Sequence, residues 1–216
     1  MIAEHIELLQ GNPQHWHDWR RAYPAVQPDF SHQDFAGVWL QDLDLSNCNF
    51  VGSQLAGIHC QAVNFKGANL LGADLRGAQL AGIDLSEANL GGANLTHATL
   101  TGADLNRTQL QRANLQAATL TEANLSEANL TAANLSQVEA VQALFYRARL
   151  QFVTAGEAHL TAIQGYGTDW RHADLSHGDL RWANLTKANF AGANVETTCF
   201  NSAKLKWTVF DIPHHS

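Results

Sequence analysis

The sequence predicts an all-β solenoid, a chain wound into a square coil once every twenty residues. Two observations carry this reading. Every fifth residue from Phe30 to Phe210 is Leu or Phe at 31 of 37 positions. The residue two places earlier is Ala in 20 of the 37, and the residue one place earlier is Asn or Asp in 21. The six core exceptions are Cys60, Ala140, Ala155, Gly165, Trp170 and Val195, and the register passes through all of them.

A period of five fits neither helix nor flat strand. Leucines at i and i+5 on an α-helix stand about 140° apart and spiral around it. On a strand they alternate between faces. Only a chain that turns every five residues sends all of them to one axis, and four such turns close a coil. Leu or Phe then fills the middle and the small Ala tucks beside it. The Asn or Asp between them points outward at the corner, where its side chain can bond the turn backbone. Gly67, Gly72, Gly77, Gly82, Gly92 and Gly102 stand two places after the core residue, where a turn can require positive φ.

The unit A-(N/D)-L-x-x, and phrases such as ANLLGADLRGAQL, resemble the pentapeptide repeat family over roughly residues 28–212. The resemblance implies a right-handed quadrilateral β-helix of about nine coils, stacked near the inter-strand spacing into a rod on the order of 43 Å long. It also implies a bacterial source, cyanobacteria being rich in such proteins. Each coil touches only its neighbours, so the ends need protection.

Residues 1–27 lack the repeat and are expected to form a short helical N-terminal cap. Ile2, Ile6 and Leu9 share one face at helical spacing, and Gly11 ends that helix. Asn12-Pro13 reads as an N-cap followed by proline in the first helical position. Trp16, Trp19 and Tyr23 then lie on one side, suited to cover Phe30, Phe35 and Leu40. The repeat domain is placed at 28–212 and a tail at 213–216. The last coil (Phe200, Leu205, Phe210) is covered by Trp207 and Ile212 or by another subunit, so the protein is a monomer or an end-to-end dimer. Between 139 and 170 the register holds but the core residues are small, a pattern that regular but narrowed coils, a kink or a loop would each give.

The net charge of −7 argues against direct binding of nucleic acid or anionic membranes. Cys48, Cys60 and Cys199 have no metal-ligand spacing and leave an odd one over, which suits a reducing cytoplasm. The N-terminus has no basic, apolar leader pattern and no stretch has transmembrane length. Eleven histidines are scattered over different faces, so no metal and no cofactor is expected. No nucleophile–base constellation or phosphate loop is present, and a convex rod filled with leucine offers no enzyme cleft. The protein is therefore read as not an enzyme, with its function on the outer faces.

Residues twenty apart become neighbours when coils stack. The column Glu87, Arg107, Glu127, Arg147, Gly167, Lys187 then predicts a salt-bridge ladder. Tyr146 and Tyr166 are one coil apart beside Leu144, with Trp182 and Arg181 at the adjoining corner. An aromatic-plus-arginine set of this kind suits protein contact, so these five residues form the candidate patch of an interaction or scaffolding module with a protein partner.

The family resemblance supplies an alternative, DNA mimicry directed at DNA gyrase, as in quinolone-resistance members. That mechanism needs a continuous acidic surface. Residues 1–139 hold 14 acids against 6 bases, but residues 140–216 hold 6 against 7. Two TxT rungs, at Thr99–Thr101 and Thr119–Thr121, are too few for an ice-binding face.

Overall fold

In the computed structural model, which describes residues 2–211, two short helices precede a coil of parallel bridges. Helix α1 spans Ile2–Gln10 and helix α2 spans Pro13–Ala22. The Asn12 side chain accepts from the Gln14 amide at 2.9 Å and Pro13 occupies the first turn, as the sequence pattern implies. The side chain of Ile2, together with Ile212 and the tail 213–216, lies outside the described residues.

From Asp29 onward the backbone pairs with itself at an offset of twenty. Asp29 bridges Asn49, Asp34 bridges Gln54, and the series continues to Asn189 with Val209, always in parallel. Two three-residue strands, β1 (Trp39–Gln41) and β2 (His59–Gln61), are the longest stretches of pairing.

The repeat unit around Leu45 shows why Asn and Asp recur. Three of its five amides serve the ladder: Leu45 N donates to Asn64 O, Asn47 N to Lys66 O, and Asn49 N to Pro28 O. Cys48 N closes the turn on Leu45 O at 3.2 Å. The fifth, on Ser46, is accepted by Asp44 Oδ1 at 3.1 Å. The Asn or Asp, which sits on the bridge in mid-face rather than at the corner where the sequence places it, thus satisfies the one donor that neither turn nor ladder reaches, an unmet donor being costly. The turn has negative φ at its second residue and +57° at Asn47, the signature of a type II turn. That third position takes Gly at low cost, but here it also holds Arg107, Glu127 and Arg147 in the left-handed region.

From Phe30 to Phe190 the Leu, Phe and Ala positions form one continuous buried cluster, against which Ala193, Val195 and Phe200 of the last coil are partly buried. Where Ser or Thr stands at the Ala position, its hydroxyl bonds a core-residue carbonyl, as Ser53 does with Phe50 O and Thr108 with Leu85 O.

The stretch 139–170 is neither loop nor break. Glu139 bridges His159, Leu144 bridges Gln164 and Arg149 bridges Asp169, in register with the coils on both sides. The narrow core there is compensated by one large residue. Trp170 is fully buried, its indole donates to Thr168 Oγ1 at 2.9 Å, and its ring stacks 5.9 Å from Phe190. Gly165 leaves space already shared with Leu185, whose Cδ2 lies 3.0 Å from where a Cβ would stand.

At the N-terminal end, Trp16 is fully buried with its ring 6.0 Å from Phe30, and its indole donates to Asp44 O at 2.8 Å. Trp19 stacks on Trp16 at 5.6 Å, and His5 is buried edge-on to Trp19. At the other end Trp207 does not cover the last coil. Its ring points to solvent under Lys187 and Lys206, while Leu205, Val209 and Phe210 remain exposed.

Candidate functional surface

The bridge series Asn124–Leu144–Gln164–Asn184–Lys204 defines one outer face. Its edges are the corner residues on either side of each bridge. One edge carries Gln142, Ala162, Trp182 and Ser202, and the other carries Tyr146, Tyr166, Thr186 and Lys206. Leu144, Tyr146, Tyr166 and Trp182 therefore share this face, with Trp182 at the opposite edge from the tyrosines. Arg181 belongs to the adjoining face.

Their exposures differ. Trp182 is 57% and Tyr146 41% exposed, while Leu144 and Tyr166 are half-buried. Tyr166 lies under the Lys187 ammonium, 5.4 Å from its ring centre. Trp182 lies 5.3 Å from the Arg181 guanidinium. Arg181 also grips Asp179 through Nε and Nη2, at 2.9 and 2.6 Å. Those bonds hold the Asp179 carboxyl down at about 2. No ring contact joins Tyr146, Tyr166 and Trp182, so the aromatics are separate projections on one surface rather than a stacked cluster.

The face changes character along the rod. Its early coils carry Asp42, Asp44, Asp84, Asp104 and Glu122 against Lys66, whereas from Gln142 to Lys206 its outward positions carry no acid. Lys204 and Lys206, both one coil beyond Trp182 and two beyond Tyr166, were legible by counting in twenties but have no local motif to mark them. The same holds for two aromatic–histidine stacks on other faces, Phe152 on His172 at 5.0 Å and Trp39 on His59 at 4.2 Å.

The expected charge ladder is reduced to one direct pair. Arg107 Nε meets Glu127 Oε2 at 2.9 Å, but Glu87 turns to Lys66 at 3.7 Å and Arg147 adds only a longer-range attraction to Glu127. Lys and Arg stems on left-handed corner residues spread sideways as readily as upward.

Among the described residues no group of His, Cys, Asp and Glu is placed to hold a metal, and no helix is long and apolar enough to cross a membrane. Cys48 and Cys60 are pushed up to about 12 by burial, so both stay protonated, unreactive thiols at neutral pH.

A square coil with outward Asn and Asp on its bridges and a filled Leu axis defines a class of solenoid, and the comparisons place the chain within it. The family model described as pentapeptide repeats matches in eight copies across residues 44–209. The chain belongs to the pentapeptide-repeat family, whose fold is a right-handed quadrilateral β-helix and whose members are in general structural or interaction modules. It is similar to HetL, a pentapeptide repeat protein involved in heterocyst differentiation regulation from the cyanobacterium Nostoc sp. strain PCC 7120. The identity is 30% over 93% of this chain and 98% of that one, with a TM-score of 0.75. It is also similar to QnrB1, a plasmid-mediated fluoroquinolone resistance protein, at 18% identity over 86% and 78% of the two chains, with a TM-score of 0.41. A pentapeptide repeat protein of the Arabidopsis thaliana thylakoid lumen matches at 28% identity over 50% of this chain and 68% of that one, with a TM-score of 0.31. Among curated protein sequences none is significantly similar to the chain.

Proposed function

We propose that the protein is a non-catalytic interaction or scaffolding module that binds a protein partner through its outer faces. In this reading the N-terminal helices cap a rod of about nine coils. The open last coil leaves the rod a monomer or an end-to-end dimer. Leu144, Tyr146, Tyr166, Arg181 and Trp182 supply the contact patch. Unpaired thiols at Cys48, Cys60 and Cys199 suit a reducing cytoplasm.

The observation that carries the reading is the acid-free half-face. Large aromatic rings left in water are costly to keep unless something covers them; Trp182 at 57% and Tyr146 at 41% exposure stand, with half-buried Tyr166, where the flat surface loses its negative charge. Aromatic rings and arginine are enriched at interface centres, and acids are depleted there. The likeness to HetL, a protein involved in differentiation regulation, over nearly the whole of both chains supports a regulatory role. A gyrase-directed DNA mimic would need acids along the whole rod, and this face carries none over its last four coils.

The test is affinity capture from the source cell with the parent and with a Tyr146→Ser, Tyr166→Ser, Trp182→Ser variant. A partner held by the parent and lost by the variant, with melting unchanged, supports the patch. A variant that retains every partner places recognition elsewhere.

A further inference from the structure

The face adjoining the aromatic edge carries a second feature. Its bridges run Asn129–Arg149–Asp169–Asn189. A shallow groove of about 660 Å³ lies across it, lined by Arg147, Arg149, Gln151, Phe152, Asp169 and Arg171 among others. Its three arginines against one aspartate leave a local formal charge of +2, on a chain whose net charge is −7.

The single acid is already saturated. Arg171 holds Asp169 through Nε and Nη2, at 2.9 and 2.7 Å, and Gln151 Nε2 donates to the same carboxylate at 2.7 Å. The next acid along, Glu127, is taken by Arg107 at 2.9 Å. Arg147 and Arg149 are both exposed and, among the described residues, neither has an ion-pair partner. Gly167 contributes to the opening. It removes a side chain from the coil above, and the Arg147 stem passes 3.7 Å from where its Cβ would stand. Phe152 ends the row, 58% exposed, with one ring face stacked on His172.

We infer that this groove binds an acidic, extended segment of a partner protein, with two carboxylates on Arg147 and Arg149 and an apolar side chain on Phe152. The spacing argues for that occupant. Arg147 stands at the left-handed corner that opens the face, at φ +53°, and Arg149 on the bridge two residues on, so their stems leave one face within about 7 Å of each other. Alternate side chains of an extended ligand strand have the same spacing. Phe152 stands three residues past Arg149 at the left-handed corner beyond this face, so an acid–x–acid segment lying along the coil covers the two arginines and an aromatic side chain two residues further on reaches round that corner to the Phe152 ring. A lone small anion would satisfy one guanidinium in open solvent, where such a pair is worth little. Two charge pairs with an aromatic anchor act together.

This rests on the protein being an interaction module and names the chemistry of the partner. The probe is a fluorescein-labelled peptide containing Glu-Ser-Glu-Ser-Phe, followed by anisotropy at low salt. The Arg147→Ser, Arg149→Ser variant is expected to bind about tenfold more weakly or worse, and added salt to weaken parent binding. The Gln-Ser-Gln-Ser-Phe peptide is expected to bind no better to the parent than to the variant. Equal binding of the Glu peptide to parent and variant overturns the inference. So does equal binding of the two peptides to the parent, displacement by inorganic phosphate at equal charge concentration, or tighter binding of a DNA oligomer in the same salt. The Tyr146→Ser, Tyr166→Ser, Trp182→Ser variant separates the two readings. If it keeps the peptide but captures the same cellular partners as the parent, the groove stands and the aromatic patch fails. Loss of peptide binding in that variant alone, with the arginine variant unaffected, sinks the groove.

Discussion

Trp170 and Phe190 lie one above the other, ring centres 5.9 Å apart and planes within 3° of parallel. They occupy the same core column one coil apart, and Phe210 continues the stack 5.1 Å from Phe190. The indole fills the axis where Gly165 in the same coil brings no side chain. Trp170→Ala is therefore expected to cost about 3–5 kcal/mol, the range for emptying a buried aromatic site. Guanidinium unfolding measures it. A loss under about 1 kcal/mol would mean that the neighbouring coils collapse into the space.

The rod was legible because one signal, the five-residue period, sets register, core and corner at once. Leu100, Ala98 and Thr99 could each be assigned an orientation from position alone. For the stretch 139–170, where the sequence allows regular coils, a kink or a loop, that period alone does not decide. Ala140, Ala155 and Gly165 read singly as losses, but packing is conserved over a coil and its neighbours, and Trp170 makes up the volume. The patch was half legible. Counting in twenties puts Leu144, Tyr146 and Tyr166 on one face, with Trp182 leading into it. It does not say that Lys187 would lie over Tyr166, or that Arg107 rather than Arg147 would hold Glu127. Those outcomes depend on side-chain rotamers, which a backbone period does not fix.

The bridge aspartates make the fold sensitive to acid. Asp179 is held at about 2, first by its bonds to Arg181, and Asp29 and Asp174 are lowered mainly by backbone amides two residues on. A depressed folded-state value contributes stability that is present above the unfolded value, about 4, and is lost as pH falls through the folded one. The parent is therefore expected to lose melting temperature between about pH 4 and pH 2. Asp179→Asn should melt below the parent at neutral pH, with the gap narrowing over that window. A constant gap down to the lowest pH would show that the carboxylate charge at Asp179 contributes nothing.

Trp16 ties the helices to the first coil by burial against Phe30 and by its indole bond to Asp44 O. Trp16→Ala is expected to lower stability by about 3–5 kcal/mol. Deleting residues 1–27 should go further, exposing Phe30 and Phe35 and driving aggregation or end-to-end association that sedimentation would detect. A truncated chain that stays monomeric with unchanged melting would show that the segment protects nothing.

Leu100 tests the axis itself. It is fully buried, its amide donates to Thr119 O at 2.7 Å, and its carbonyl accepts from Ala103 to close the turn. Leu100→Ala removes the side chain but leaves those bonds, and should cost about 2–5 kcal/mol. Leu100→Asp keeps a similar length but puts a carboxylate on an axis lined by Leu and Ala, where Thr108 already spends its hydroxyl on Leu85 O. The charge has no partner to meet and cannot turn outward, because the corner directs that side chain inward. Burying it unpaired costs more than the whole margin of a typical domain, so the group must stay protonated or the coil must open. Coils depend only on their neighbours, so opening at one level severs the rod into two shorter arrays with exposed ends. The expected result is insoluble Leu100→Asp protein beside soluble, weakened Leu100→Ala. Soluble Leu100→Asp that unfolds in one cooperative step would show that the axis is not a continuous apolar core.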